Sequence, residues 1–280
     1  MKITKEQKLI LDLSKEIVAS EKKPNFTDYF SQGFSERCIE VPWVAQKIKD
    51  AKKVLDIGYT FASLEYLGLL LYLKRTRNIL LEATDILSPE RVRGRYPKGW
   101  LEDVLETNIY IGDVRSLNFT KTNYYDTVTC ISTIEHIGFD EPSLAVEGSS
   151  FNRGKTPQDV NMKRDKNTNQ AVLDNIWNIL KPGGRLLISV PMGKGGPSLL
   201  QDSLGLYCVQ WEYEKESWRE IIEHKGFKLE EERFFGLTNE GWKEVDSPDD
   251  LIEKSSWLKP HAAGCAVCSL IKRSAKSLNN

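Results

Sequence analysis

The hydrophobic positions of this chain change period near residue 50. Between Lys5 and Ser20, Leu9, Ile10, Leu13, Ile17 and Val18 recur at three- and four-residue spacing, which predicts an amphipathic helix. The looser segment KPNFTDYFSQGFSER leads into a second predicted helix over Cys38 to Lys49. From Lys53 onwards short apolar runs take over: KVLDIG, NILLEATDI, NIYIGD, YYDTVTCIS, GRLLISVPM, GFKLEEERFF and AGCAVCSLIK. Each has strand length, and helix-like stretches separate most of the early ones, so the chain needs crossover connections and a mostly parallel sheet. The last two runs are joined instead by polar, turn-rich GLTNEGWKEVDSPDD, which suits an antiparallel excursion at one sheet edge.

One stretch breaks the rhythm. Residues 139–169 form a polar insertion directly after the fourth predicted strand, roughly thirty residues with few apolar anchors, and loops of that length are commonly functional covers.

Composition narrows the function classes. Lys and Arg number 39 against 40 Asp and Glu, so no overall field draws in nucleic acid or anionic lipid, and neither is an expected partner. The first residues lack the apolar centre of a secretion signal, and no apolar run approaches the ~20 residues of a membrane span, so a cytoplasmic protein is expected. Five scattered cysteines make no disulfide framework, and Cys265 and Cys268, three apart on a predicted strand, should face opposite sides of the sheet.

The first strand-to-helix turn is where a doubly wound sheet binds its ligand. Here VLDIG ends the strand with Asp56 and Gly58, but Tyr59, Thr60, Phe61 and Ala62 follow where a dinucleotide loop needs bare glycine backbone against a pyrophosphate. A cofactor without phosphates tolerates this loop better, and S-adenosylmethionine is one. Its ribose hydroxyls need a carboxylate at the end of the second strand, where Asp85 is preferred over its rival Glu82. Asp113 ends the third strand and can accept from an adenine amino group, with Val114 against the ring.

The ordered landmarks VLDIG, ATDILS, GDVRSLNF, YYDTVTCISTIEHIG and ILKPGGRLLISVPMG, with the final strand, resemble the class I S-adenosylmethionine-dependent methyltransferases from about Val41 to Lys272. The resemblance implies a seven-stranded, doubly wound, Rossmann-like α/β domain over residues 51–280, mostly parallel with an antiparallel last strand, behind an N-terminal helical cap over residues 1–50. It also implies that Gly58, Tyr59 and Thr60 contact the methionine end, Asp85 and Ile86 the ribose and adenine, Asp113 and Val114 the adenine, and Ser132 the sulfonium region. Thr60 and Ala62 depart from the pattern, since many relatives have glycine there. ERCIEVPW, STIEHIG and SVPMGKGG are similar to methyltransferase-like proteins of glycan or cell-envelope biosynthesis, which implies a small-molecule hydroxyl acceptor such as a sugar or nucleotide-linked sugar.

Methyl transfer to a hydroxyl needs a proton acceptor, and His136, just after the fourth strand, is the candidate base, with Glu135 beside it to orient the ring or hold a substrate hydroxyl. His224 is expected on an exposed helix face, and His261 precedes the last strand. Asp140, Glu141, Asp159 and Asp165 could serve a metal but read as solvated loop charges, so no metal is expected. Trp43, Trp211, Trp218 and Trp242 suit ring stacking or, more commonly, core packing. Two other readings stay open: a binding or scaffold protein that keeps the fold without the chemistry, and a nucleic-acid methyltransferase.

Overall fold

The computed structural model describes residues 2–20, 33–116, 121–139, 163–201, 207–251 and 262–274. Helix α1, Lys5–Ala19, opens with a capping box in which Thr4 Oγ1 accepts from Gln7 N and Gln7 Oε1 accepts from Thr4 N. Its buried face carries Ile10, Leu11, Ile17 and Val18, whereas Leu9, expected inside, is half exposed. Helix α2, Arg37–Ile48, and the leucine-rich α3, Leu64–Arg77, pack with α1 into one layer.

The sheet is built from β1 (Lys53–Ile57), β2 (Leu80–Asp85), β3 (Asn108–Ile111), β4 (Tyr125–Ile131) and β5 (Leu180–Pro191), all parallel to their neighbours, in the order β3-β2-β1-β4-β5. The short helix α4, Leu101–Leu105, precedes β3, and α5, Thr168–Ile179, precedes β5. Beyond β5 the order continues β10 (Gly264–Lys272), β8 (Phe227–Thr238), β9 (Gly241–Val245), with β10 antiparallel to both its neighbours. Strands β6 (Gly196–Gln201) and β7 (Tyr207–Glu212) form a separate hairpin before α6, Lys215–Ile222.

The mostly parallel α/β sheet with an antiparallel last strand is as expected, with two corrections. The main sheet has eight strands, because the polar GLTNEGWKEV segment folds back on β8 as edge strand β9. Gly241, at φ +118°, makes the tight reversal, and Trp242 anchors the strand by burying its ring and donating Nε1 to Phe34 O at 2.9 Å. The antiparallel strands lie at one side of the sheet, as expected, with β10 inserted between β5 and β8. In ILKPGG, Leu180 already pairs with Tyr125, so the Pro-Gly-Gly lies within an irregular start of β5, where the register with β4 shifts, instead of forming a loop before it.

Alternation along the strands feeds two cores. Val54, Leu187, Cys265 and Val267 face α1, α2 and α3, while Leu55, Leu186, Ala266 and Cys268 face α5 and α6. Cys265 and Cys268 therefore point to opposite faces, both buried as free thiols. The two N-terminal helices share the first of these cores with the sheet, and Trp43 Nε1 and Lys47 Nζ of α2 both bond Glu231 on β8.

Candidate active site

The loop after β1 is held by its own polar groups. Gly58 sits at φ +90° and donates to Thr84 O at 2.9 Å; a Cβ there would come within 2.3 Å of Thr133 Oγ1, so the β1 and β4 loops meet at a position that admits only glycine. Tyr59–Phe61 is a single 3₁₀ turn. Thr60 N donates to Asp85 Oδ2 at 2.9 Å, Thr60 Oγ1 donates to Leu87 O at 2.5 Å, and Tyr96 Oη donates to Thr60 O. Tyr59 is buried, with its hydroxyl on Thr107 Oγ1. These bonds spend the amides of Gly58 and Thr60, while the Ala62 amide is turned back to Tyr59 O, so a phosphate would find few donors here.

Above the carboxyl ends of β1, β2 and β4 lies a cavity of about 410 Å³. Of the residues expected at a site, Gly58, Asp85, Ile86, Asp113, Val114, Ser132 and His136 line it. The side chains of Asp56, Tyr59, Thr60 and Glu135 do not, because each is buried behind the wall. Thr60 ties the β1 loop to the β2 loop instead of closing the hollow.

Asp56 Oδ1 accepts from Tyr66 Oη and Thr129 Oγ1, both at 2.7 Å, while its Oδ2 has no partner. Burial pushes this carboxyl up to about 7 against the pull of those two hydroxyls. Tyr66 lines the cavity, so Asp56 acts on it through that ring.

Asp85 closes β2, 8% exposed, with Oδ1 accepting from Leu87 N at 3.2 Å and Oδ2 from Thr60 N. Burial raises its pKa, opposed by those backbone amides. Its rival Glu82 is turned elsewhere, bonded to Lys121, Asn108 and Tyr125. Next to Asp85, Ile86 exposes 48% of its surface at the cavity, and Val114 lies buried on the third-strand loop. Asp113 is gripped by Arg115, whose Nη2 donates at 2.6 Å to Oδ2, so most of its accepting capacity is spent. Burial raises its pKa, but the Arg115 bonds prevail and hold it low.

On the other side, Ser132, at φ +41°, donates Oγ to Glu40 Oε1 at 2.6 Å and N to Ser189 Oγ at 3.0 Å. Fully buried Glu40 in turn pairs with Arg37, which lines the cavity. Sequence reasoning assigned no role to this pair; the signal available was their i,i+3 spacing on a predicted helix. Ser63, N-terminal to α3, also lines the cavity, and its buried Oγ has no partner.

His136 ends the 3₁₀ turn Ile134–His136, with Nε2 3.9 Å from Glu135 Oε1. Burial pushes Glu135 up to about 7, with His136 pulling against it, and its Oε2 has no partner. Arg164 clamps the turn by donating to Ile134 O and Ile137 O, both at 2.9 Å, and stacks on Trp211 and Tyr213.

His224 is a correction: it is buried, its Nε2 3.2 Å from Asp174 Oδ1, because the turn after α6 tucks it under α5 beside Phe227. Trp43, Trp218 and Trp242 are core residues. Asp165 pairs with Arg115, and no cluster of three metal-ligating side chains occurs among the described residues. His261, Asp140, Glu141, Asp159 and most of the insertion lie outside the described residues. No helix among the described residues is long and apolar enough to cross a membrane.

No protein-family model and no curated protein matches the chain. Among solved structures it is similar to the PH0226 protein from Pyrococcus horikoshii OT3, at 15% identity over 90% of this chain and 96% of that one, TM-score 0.48. A SAM-dependent methyltransferase from Methanosarcina mazei matches at 12% identity over 83% and 97%, TM-score 0.49. The Burkholderia thailandensis 1,6-didemethyltoxoflavin-N1-methyltransferase, bound to 1,6-didemethyltoxoflavin and S-adenosylhomocysteine, matches at 13% over 98% and 93%, TM-score 0.48.

Proposed function

We propose that the chain is an S-adenosylmethionine-dependent methyltransferase acting on a small-molecule hydroxyl, a sugar or nucleotide-linked sugar being the acceptor that its sequence resemblance favours. The observation that carries this reading is Asp85, a carboxylate at the end of β2 facing a cavity whose first loop has few amides left for phosphate. Each carboxylate oxygen of Asp85 accepts one backbone bond and keeps a second lone pair for a ribose hydroxyl. Exposed Ile86 and buried Val114, both lining the cavity, supply apolar surface for adenine. The unpartnered Ser63 Oγ and the guanidinium of Arg37, with Gly58 below them, suit the amino-acid end. The residues present therefore fit the cofactor.

When bound, S-adenosylmethionine supplies a methyl group on a positive sulfur that departs as a neutral thioether. The chain's own work is to position and desolvate the nucleophile. Glu40 holds Ser132 and Arg37 together at the wall. His136 takes the hydroxyl proton as the oxygen–methyl bond forms, and the adjacent Glu135 stabilises the imidazolium.

Titration calorimetry with S-adenosylmethionine and S-adenosylhomocysteine tests the reading. Saturable binding is expected, weakened by about tenfold or more in Asp85→Ala. Absence of heat with both ligands would leave a binding or scaffold protein as the better description.

A further inference from the structure

The carboxylate on the loop after β3 is already full. Asp113 Oδ1 accepts from Arg115 N at 2.9 Å and Arg115 Nε at 3.1 Å, and Oδ2 accepts from Nε at 3.0 Å and Nη2 at 2.6 Å. Two contacts on each oxygen match the four lone-pair sites of a carboxylate. An adenine amino group would have to displace a charged, bidentate donor with one neutral N–H, and the charge-assisted fork is the stronger partner. Two backbone carbonyls of the same loop are engaged as well, Asp113 O by Ser116 N and Val114 O by Asn175 Nδ2.

Arg115 lines the cavity beside Gly112, Asp113 and Val114, with 28% of its side chain exposed. Among the described residues, Nε and Nη2 serve Asp113, and Nη1 reaches Asp165 Oδ2 at a long 3.5 Å. A guanidinium carries five N–H groups, so one remains on each terminal nitrogen. Asp165 is itself tied to the cavity wall, its N donating to Gly138 O at 2.7 Å. The two carboxylates hold the guanidinium from two sides and offset its charge, which suits the spare donors to a neutral acceptor better than to an anion.

The geometry points to Arg115, in place of Asp113, as the residue that reads the cofactor's purine: it donates to a ring nitrogen, and the 6-amino group goes unrecognised. Adenine offers such an acceptor on each groove edge, so the spare N–H groups have a partner whichever edge faces them. Asp113 then serves as a positioning residue that fixes the guanidinium plane. This inference rests on the function proposed above, which lays adenine against Ile86 and Val114 next to this loop.

Titration calorimetry on the full chain provides the test, with S-adenosylhomocysteine, its purine-riboside analogue lacking the 6-amino group, and its 1-deaza, 3-deaza and 7-deaza analogues as probes. Removing the amino group should leave affinity within about twofold, whereas one of the deaza replacements should weaken binding by about tenfold, as for a lost charge-assisted hydrogen bond. In Arg115→Met the order should reverse. Asp113 is then free to accept from the amino group, so the purine-riboside analogue falls about tenfold below S-adenosylhomocysteine and the sensitive deaza analogue draws level with it. The wild-type series needs no variant, so a poorly folded Arg115→Met would not rescue the proposal. A tenfold loss with the purine-riboside analogue on the wild-type chain would overturn it, as would equal binding of all three deaza analogues or an unchanged order in Arg115→Met. No heat with any probe would instead remove the cofactor reading, and this inference with it; binding of S-adenosylhomocysteine that depends on the amino group would remove this inference alone.

Discussion

Ser132 and Glu40 are joined by a 2.6 Å hydrogen bond between the turn after β4 and the first turn of α2, and the same carboxylate pairs with Arg37. This contact makes α2 part of the cavity wall through Arg37. Glu40→Ala takes from Arg37 its nearest carboxylate, leaving Glu36 at 3.9 Å, and removes the anchor of Ser132. Urea denaturation should show a loss of about 3–5 kcal/mol, as for a broken buried ion pair. Glu40→Gln keeps an acceptor for Ser132, and its midpoint should fall between the two.

Thr60 stands where many relatives of the sequence pattern have glycine, yet its hydroxyl is spent on Leu87 O outside the cavity. Thr60→Gly should leave S-adenosylhomocysteine affinity within about twofold while costing about 1 kcal/mol of stability, from one lost hydrogen bond and added chain entropy. A markedly tighter complex in calorimetry would mean that the threonine obstructs the site after all.

Gly58 admits no side chain, by conformation and by the proximity of Thr133. Gly58→Ala should destabilise the fold by about 1–3 kcal/mol and abolish measurable cofactor binding. Adding Thr133→Ala should recover part of the loss, since it relieves the collision and leaves the backbone strain.

Burial raises Asp56, Glu36 and Glu135 from ordinary values of 3.8, 4.5 and 4.5 to about 7 each. A carboxyl that holds its proton more tightly when folded loses stability as pH rises from its unfolded value to its folded one, so these groups destabilise progressively from about pH 4 to pH 7. Glu230, held to about 2 chiefly by Arg185, acts with the opposite sign but only below its ordinary 4.5. Melting temperature should therefore be higher near pH 5.5 than near pH 8. Asp56→Asn, neutral at every pH and still able to accept from Tyr66 and Thr129, should flatten that slope. An identical slope in the variant would remove Asp56 from the explanation.

His136 lines the cavity from the turn after β4, whereas Asp85 and Ile86 line it from the end of β2. His136→Ala should keep S-adenosylhomocysteine affinity within a few-fold and slow turnover of a hydroxyl acceptor by roughly 10²–10⁴. Unchanged turnover would dismiss it as the base.

Local pattern was enough for much of this protein. Short apolar runs predicted β1 to β5, β8 and β10, because the central strands bury both faces between helix layers, and the apolar stripe marked α1. Strand-end position alone was sufficient to bring Gly58, Asp85, Val114, Ser132 and His136 to one cavity, since in a parallel sheet all carboxyl ends point the same way.

Tertiary structure decided the rest. Whether Thr60 faced the cavity or Leu87, whether Glu40 reached Ser132 across the chain, and whether a polar linker could become β9 around Trp242 all depend on partners remote in sequence. Period and spacing describe a residue's own element; they carry no information about which distant donor or acceptor will complete its hydrogen bonds once burial removes water from the choice.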